Sequence, residues 1–311
     1  MNDLQKKPAF FQNPIALILI ALFCCALWGS ATPFIKTGYE LLLPEQDVPS
    51  TILFAGVRFT LAGILTVIIY SVARRKVLYP KKENVTRVLI IAAFQTVIQY
   101  IFFYVGLANT SGVKGAVLSG STAFFSVLIA SLIFRQEKLT PKKIIACLLG
   151  LIGIVLINIR GLEPTMNFFG DAFVLFSTIS LSFSSVLMKR FSKHEDPVVL
   201  SGYQFIAGGI FMVAVGLAFG GRMTLDSLNG LLVLLYLALL SAVAYALWGM
   251  LLKFNPISKV TIFTFTTPIF GTLLSLLMLK ESSGVEPLNL ILTLLLVSTG
   301  IFLLNYQKTS K

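Results

Sequence analysis

Ten apolar runs, each near the roughly 20 residues that a helix needs to cross a bilayer, occupy residues 14–34, 51–73, 88–108, 115–134, 144–159, 172–188, 198–219, 228–252, 260–279 and 288–306. They consume nearly the whole chain and leave only short connections. Segments that short do not fold as separate soluble domains, so any function must be built inside a helical bundle or at its mouths. Composition agrees. Only 12% of the 311 residues are charged and 56% are hydrophobic, with a mean hydropathy of +0.88, whereas a soluble domain carries about 25% charged residues. The expected fold class is an all-α polytopic membrane protein with ten transmembrane helices.

The net charge of +12 invites a nucleic-acid reading until its distribution is followed along the chain. With the N-terminus inside, one side collects Lys6, Lys7, Lys308 and Lys311 from the tails and Arg74, Arg75, Lys76, Lys81, Lys82 and Arg87 after helix 2. It also collects Arg135, Lys138, Lys142 and Lys143 after helix 4, Lys189, Arg190 and Lys193 after helix 6, and Lys253 and Lys259 after helix 8. The other side has Lys36, Lys114, Arg160, Arg222 and Lys280. This asymmetry is the positive-inside pattern and places both termini in the cytoplasm. It accounts for the excess charge without a nucleic-acid partner. Helix 1 follows two lysines without an evident small-residue cleavage site, and nine more spans follow, so it reads as a retained anchor.

Every acid falls in a connection or at a helix end, with none at mid-membrane: Asp3, Glu83, Glu137, Glu195 and Asp196 inside, Glu40, Glu45, Asp47, Glu163, Asp171, Asp226, Glu281 and Glu286 outside. Cys24, Cys25 and Cys147 lie within spans and read as small packing residues rather than a disulfide framework. His194, among Lys193, Glu195 and Asp196, reads as a solvated loop residue.

The two halves resemble one another, as in many transporters built from repeats. Ala55-Gly56-Val57-Arg58-Phe59 in helix 2 matches Ser201-Gly202-Tyr203-Gln204-Phe205 in helix 7. Phe124 through Ala130-Ser131-Leu132-Ile133-Phe134 to Glu137 matches Pro268 through Leu274-Ser275-Leu276-Leu277-Met278 to Glu281 at the same spacing. Helix 5, with Gly150 and Gly153 before Leu156-Ile157-Asn158, matches helix 10, with Gly300 before Leu303-Leu304-Asn305. Five helices per copy is an odd number, so the second copy must enter the membrane inverted. The expected division is a cytoplasmic tail over 1–13, a first repeat over 14–160, an inverted second repeat over 168–306 and a second tail over 307–311.

Leu27-Trp28-Gly29-Ser30 through Lys36, Arg58 within helix 2, Arg135-Gln136-Glu137-Lys138-Leu139-Thr140 after helix 4 and the stretch from Pro268 to Glu281 together resemble the drug/metabolite transporter superfamily with two EamA-type repeats. Helix 4 departs from the pattern with Phe124 where its partner has Pro268, and helix 6 reads Leu181-Ser182-Phe183-Ser184 where helix 1 has Leu27-Trp28-Gly29-Ser30. The resemblance implies a basket in which helices 1, 3, 4, 6, 8 and 9 surround a central cavity and helices 2, 5, 7 and 10 lie outside. It also implies transport of small metabolites, often export of amino acids or amphipathic compounds.

Polar and aromatic residues gather in those six helices at depths where they need partners, water or substrate. Gln95 and Gln99 on helix 3 share a face and join Tyr100 and Tyr104 as candidate lining, with interhelical bonding as the alternative. Trp28 and Ser30 precede Pro33, which marks either a hinge or an ordinary kink. Tyr245 and Trp248 on helix 8 offer surface for stacking an apolar substrate, although Trp248 also reads as an interfacial belt residue. Ser121, Thr122, Ser182 and Thr266 are further candidates, each equally suited to close helix packing. Arg58 must find carbonyls, amides, an interfacial carboxylate or an anionic substrate group, and at the periphery it reads first as a structural clamp. Its counterpart Gln204, Pro268 and the helix-end acids Glu137 and Glu281 read as structural or gating residues.

No catalytic cluster, metal-ligand spacing or phosphate-binding loop emerges, so neither an enzyme nor a cofactor is expected. The sequence reading is therefore an exporter of amino acids or related amphipathic compounds, working by alternating access in a bacterial plasma membrane. An importer of sugars, nucleosides or related solutes is the alternative, and a receptor or scaffold the distant one. Small residues on helices 5 and 10 suit either packing within one bundle or a homodimer.

Overall fold

Six of the crossings begin on a side-chain cap that the sequence supplies. In the computed structural model, which describes residues 7–110, 112–159, 167–279 and 287–305, ten helices are long and apolar enough to cross a membrane. They are α1 (Pro14–Leu42), α2 (Val48–Ala73), α3 (Lys82–Ala108), α4 (Lys114–Ile133), α5 (Pro141–Asn158), α6 (Phe168–Phe191), α7 (Pro197–Ala218), α8 (Leu228–Phe254), α9 (Ile257–Leu274) and α10 (Leu288–Asn305). A short helix, Lys7–Gln12, leads into α1. Asn13 and Asn167 cap α1 and α6, and Asp47 and Asp196 cap α2 and α7, each side chain accepting from backbone N–H groups of the first turn. Like helices in the two halves thus start on like residues.

The helices pack in matched pairs. α1 lies against α8 and α9, and α6 lies against α3 and α4. Those relations exchange when every helix is advanced by five, as two inverted copies require. α2 packs on α7 at one flank and α5 packs on α10 at another. The four helices expected to lie outside form these two flanking pairs.

Missing side chains make the α2/α7 contact close. A Cβ built on Gly209 would stand 2.5 Å from the Thr60 nitrogen, and one on Gly56 would stand 2.9 Å from the Gly209 carbonyl oxygen. Small residues let backbones approach in a bilayer, where dispersion and polar contacts replace the hydrophobic effect between helices. The small residues of α5 and α10 serve the same purpose inside the chain. A Cβ on Gly153 of α5 would meet Val297 of α10 at 3.1 Å, and one on Gly300 of α10 would meet the Ala146 oxygen of α5 at 2.8 Å.

Several expectations are revised. α1 continues through Pro33 to Leu42, eight residues past the expected end at 34, because its later turns face α8 rather than lipid. Pro33 therefore sits inside an unbroken helix, where Thr37 Oγ1 donates to its carbonyl at 3.2 Å. α3 contains a π-helical stretch, Ala92–Ile98, and α4 breaks at Ser121 and ends in another, Ile129–Ile133. α9 tightens to a 3-10 helix over Ile262–Thr266. When Phe124 is aligned with Pro268, Ser121 falls inside that stretch, so the matched helices are interrupted at matched places. Cys24, Cys25 and Cys147 are buried and free, as expected of packing residues.

The connections sort onto two faces. On the basic one, Arg74 pairs with Asp196 at 3.3 Å, Asn84 donates to Glu195 at 2.9 Å and Lys143 to Glu137 at 2.7 Å. On the other, Lys114 approaches Asp171 at 4.0 Å and Asn167 donates to the Asn109 carbonyl at 2.7 Å. Between them, side chains such as Ile68, Leu132, Ile152, Phe176, Ile210 and Leu295 are exposed around the bundle, the apolar belt that acyl chains require.

Candidate functional site

The centre of the bundle is aromatic. The Trp28 ring on α1 lies 4.9 Å from Trp248 and 5.2 Å from Tyr245, both on α8. The Tyr245 hydroxyl is 3.3 Å from that of Tyr100 on α3, whose ring is 6.0 Å from Tyr104. Phe59 of α2 closes on Tyr100 at 4.5 Å and stacks on Phe205 of α7 at 5.0 Å. Five helices thus meet at one set of rings, in the edge-on and offset arrangements that the ring quadrupoles favour. Trp248 is only 6% exposed, so it belongs to this centre and not to an interfacial belt.

Arg58 sits beside the rings. It lies ten residues into α2, about 15 Å along the axis from Val48, near the middle of a hydrocarbon layer roughly 30 Å thick. The residue is 3% exposed. Its Nη2 donates to Ser241 Oγ of α8 at 3.0 Å and its Cζ is 4.8 Å from the Phe59 ring centroid. Placing such a charge at the middle of a membrane helix costs about 3 kcal/mol on insertion scales, and one neutral hydroxyl is a poor partner for it.

Two buried polar atoms of this centre, Trp28 Nε1 and Arg58 Nε, are unsatisfied, as is Gln99 Oε1, one residue before Tyr100 on α3. Each such atom costs roughly 1–3 kcal/mol when it stays unpaired. The centre therefore has hydrogen-bonding capacity that the protein itself does not use. Gln95 and Gln99 are both buried, and the wider π turn between residues 92 and 98 shifts the register of Gln99, Tyr100 and Tyr104 relative to the start of α3.

The other sequence candidates sit elsewhere. Ser30 Oγ bonds Tyr236 at 2.7 Å, linking α1 to α8. Ser121 and Thr122 donate to the carbonyls of Leu118 and Ser119 in their own helix, and Ser182 donates to Thr122 at 3.0 Å in the α6/α4 contact. Thr266 lines a separate groove of about 500 Å³ between α1, α9 and α10, among Ile18, Leu22, Phe263 and Ile301. Pro268 is the second residue of the α-helical stretch Thr267–Leu279 in which α9 continues. Gln204 accepts from Thr96 at 2.7 Å. Glu281 lies outside the described residues.

Glu137 is a capping residue. Its carboxylate accepts from Ser258 Oγ at 2.6 Å, Ser258 N at 3.3 Å and the Ile257 N–H, while Lys143 donates to it at 2.7 Å. Burial by itself raises its pKa, but the bonds from Lys143 and Ser258 outweigh that effect and hold it below the usual carboxylate range. It ties the α4–α5 connection to the N-terminus of α9, where a negative charge is favoured.

Tyr39, Ser241 and Tyr236 were not among the expected residues. Ser241 shares a helical face with Tyr245 and Trp248, a 3.6-residue periodicity present in the sequence. Tyr39 was hidden because helix 1 was expected to stop before it.

This bundle, with a ring-lined polar centre at mid-depth and an apolar exterior, is a multi-pass integral membrane protein. The chain belongs to the EamA-like transporter family, whose profile it matches twice, over residues 15–159 and 168–306. It is 26% identical over 294 residues to a WAT1-related chloroplastic protein of Arabidopsis thaliana, covering 89% of this chain and 68% of that one. It is 25% identical to the uncharacterized transporter YvbV of Bacillus subtilis over 299 residues, with 94% and 92% of the two chains covered. A crystal structure 17% identical in sequence superposes with a TM-score of 0.77 over 93% of this chain and 96% of the other, and so shares its fold.

Proposed function

We propose that this transporter exports small amphipathic metabolites, amino acids first among them, by alternating access of its two halves around the Trp28–Tyr245–Trp248 centre. The observation that carries the reading is this ring cluster together with the unpaired buried donors Trp28 Nε1 within it and Arg58 Nε beside Phe59. A bound solute with one apolar and one polar end satisfies both. Gln95, Gln99, Tyr100, Tyr104 and Tyr245 then supply the lining, while Ser121, Thr122, Ser182 and Thr266 serve helix packing. The matched interruptions in α4 and α9 support rocking of one half against the other. In this reading the basic face is cytoplasmic, the membrane is a bacterial plasma membrane, and one chain holds a complete site.

The test is efflux of an amino-acid panel from cells preloaded through dipeptides, comparing the wild type with a Gln95→Ala, Gln99→Ala double variant of equal membrane abundance. Selective release that the variant loses is the expected result. No release of any amino acid, together with uptake of sugars or nucleosides, would move the importer reading to first place.

A further inference from the structure

Arg58 has more donors than the protein gives it acceptors. A guanidinium carries five N–H groups in a planar fork, yet Nη2 meets only the Ser241 hydroxyl and Nε meets nothing. The matching position in the second half is Gln204, a neutral side chain held by Thr96 at 2.7 Å. A clamp between flank and centre therefore does not need a charge at this place. The described acids lie in connections or near helix ends, Asp47 and Asp196 as caps, Glu137 on the start of α9 and Asp171 beside Lys114, and among the described residues none pairs with Arg58. What adjoins it instead is aromatic, the Phe59 ring at 4.8 Å from its Cζ, which itself packs on Tyr100 and Phe205.

We infer that Arg58 is the recognition point for a carboxylate on the transported solute, and that the rings of Trp28, Tyr100 and Tyr245 take the apolar body of the same molecule. The substrate class is an amphipathic organic carboxylate. A carboxylate matches the guanidinium fork in a way a hydroxyl does not, and its arrival neutralises the one charge at mid-depth. The inference rests on the transport reading only in calling the ligand transported; binding itself is tested without flux.

Trp28 and Trp248 are the two tryptophans of the chain, so intrinsic fluorescence of the purified full-length protein reports on this centre directly. It is titrated with 3-phenylpropionate and L-phenylalanine, and with their uncharged-carbonyl counterparts 3-phenylpropanamide and L-phenylalaninamide. Saturable changes with both acids, at least tenfold weaker for each amide, are expected. In Arg58→Gln, which installs the residue of the matching position, the acids should fall to the level of the amides. Arg58→Lys, keeping the charge and losing the fork, should lie between. Equal affinities for acid and amide, equal acid affinities in wild type and Arg58→Gln, or no saturable response to either acid overturns the inference. Should Arg58→Gln not yield a monodisperse protein, the acid–amide comparison in the wild type decides alone. Acid binding without cellular efflux would leave the inference standing while the export reading falls. Efflux unaffected by Arg58→Gln would do the reverse.

Discussion

Arg58 reaches Ser241 at 3.0 Å, joining α2 to α8, and the equivalent residue of the second half, Gln204, accepts from Thr96 at 2.7 Å, joining α7 to α3. One geometric device is built twice, with charge in one copy and an amide in the other. The two flanks are thus alike in architecture and unlike in electrostatics, and the site between them is asymmetric. An asymmetric site suits a solute whose two ends differ.

The α2/α7 crossing depends on side chains that are absent. Gly209→Ala would place a methyl group 2.5 Å from the Thr60 nitrogen, so the helices must separate. We expect a loss of about 1–3 kcal/mol, seen as a lower midpoint of thermal unfolding in detergent. Gly271→Ala is the matched control. Its Cβ would sit 3.5 Å from the Gly29 oxygen, an ordinary contact, and the gain in helix propensity of up to about 1 kcal/mol should leave stability equal or higher.

Glu137 should stabilise the protein at neutral pH. Its lowered pKa means that the folded state binds its proton less readily than the unfolded state does. The contribution is therefore complete above the unfolded carboxylate value of about 4.3 and disappears as pH falls through the lower folded value. Glu137→Gln should cost roughly 1–3 kcal/mol between pH 6 and pH 8, with the gap to wild type closing at more acid pH. A gap that stayed constant to pH 3 would show that the carboxylate charge is not what α9 requires.

Both tryptophans should be shielded from lipid. Trp248 is 6% exposed and packs on Trp28, so brominated acyl chains should quench the intrinsic emission of the reconstituted protein weakly. Phe211 on α7, 53% exposed, provides the comparison. Phe211→Trp in a background lacking Trp28 and Trp248 should be quenched strongly by the same lipids. Strong quenching of the wild type would return Trp248 to the belt.

The spans, the sidedness of the charges and the repeat could be read from the sequence because each follows from a long-range pattern of hydropathy, charge or spacing. The ends of helices could not. α1 outlasts its apolar run because Lys36 and Glu40 are carried on exposed positions while Gly38 and Leu42 remain buried, and hydropathy alone does not distinguish a polar face from a terminus. That error concealed Tyr39. Among the candidate residues, Trp28, Tyr100, Tyr104, Tyr245 and Trp248 come together because large rings in adjacent spans have few places to go. The hydroxyls of Ser121, Thr122 and Ser182 do not join them, since a short side chain in a helix bonds the carbonyl of its own preceding turn or that of a close neighbour. Hydropathy also could not show the π stretch of α3, which turns on backbone bonding.

Thr96 and Gln204 offer the cleanest measure of what such buried polar pairs are worth here. Both are fully buried, and the Gln204 Nε2 already lacks a partner. Thr96→Val removes the one acceptor contact and leaves an entire amide unsatisfied, so it should cost about 1–3 kcal/mol. Gln204→Leu deletes that amide and, in the wild-type background, strands the Thr96 hydroxyl, which can fall back on a carbonyl of its own helix and should cost less. If the hydrogen bond carries the cost, the double variant should be more stable than Thr96→Val alone, because replacing both partners by apolar groups removes the unmet demand. Thermal unfolding of the four proteins in one detergent closes the cycle. Strict additivity would mean that the two residues contribute only bulk, and that the parallel between Gln204 and Arg58 is one of position without shared bonding.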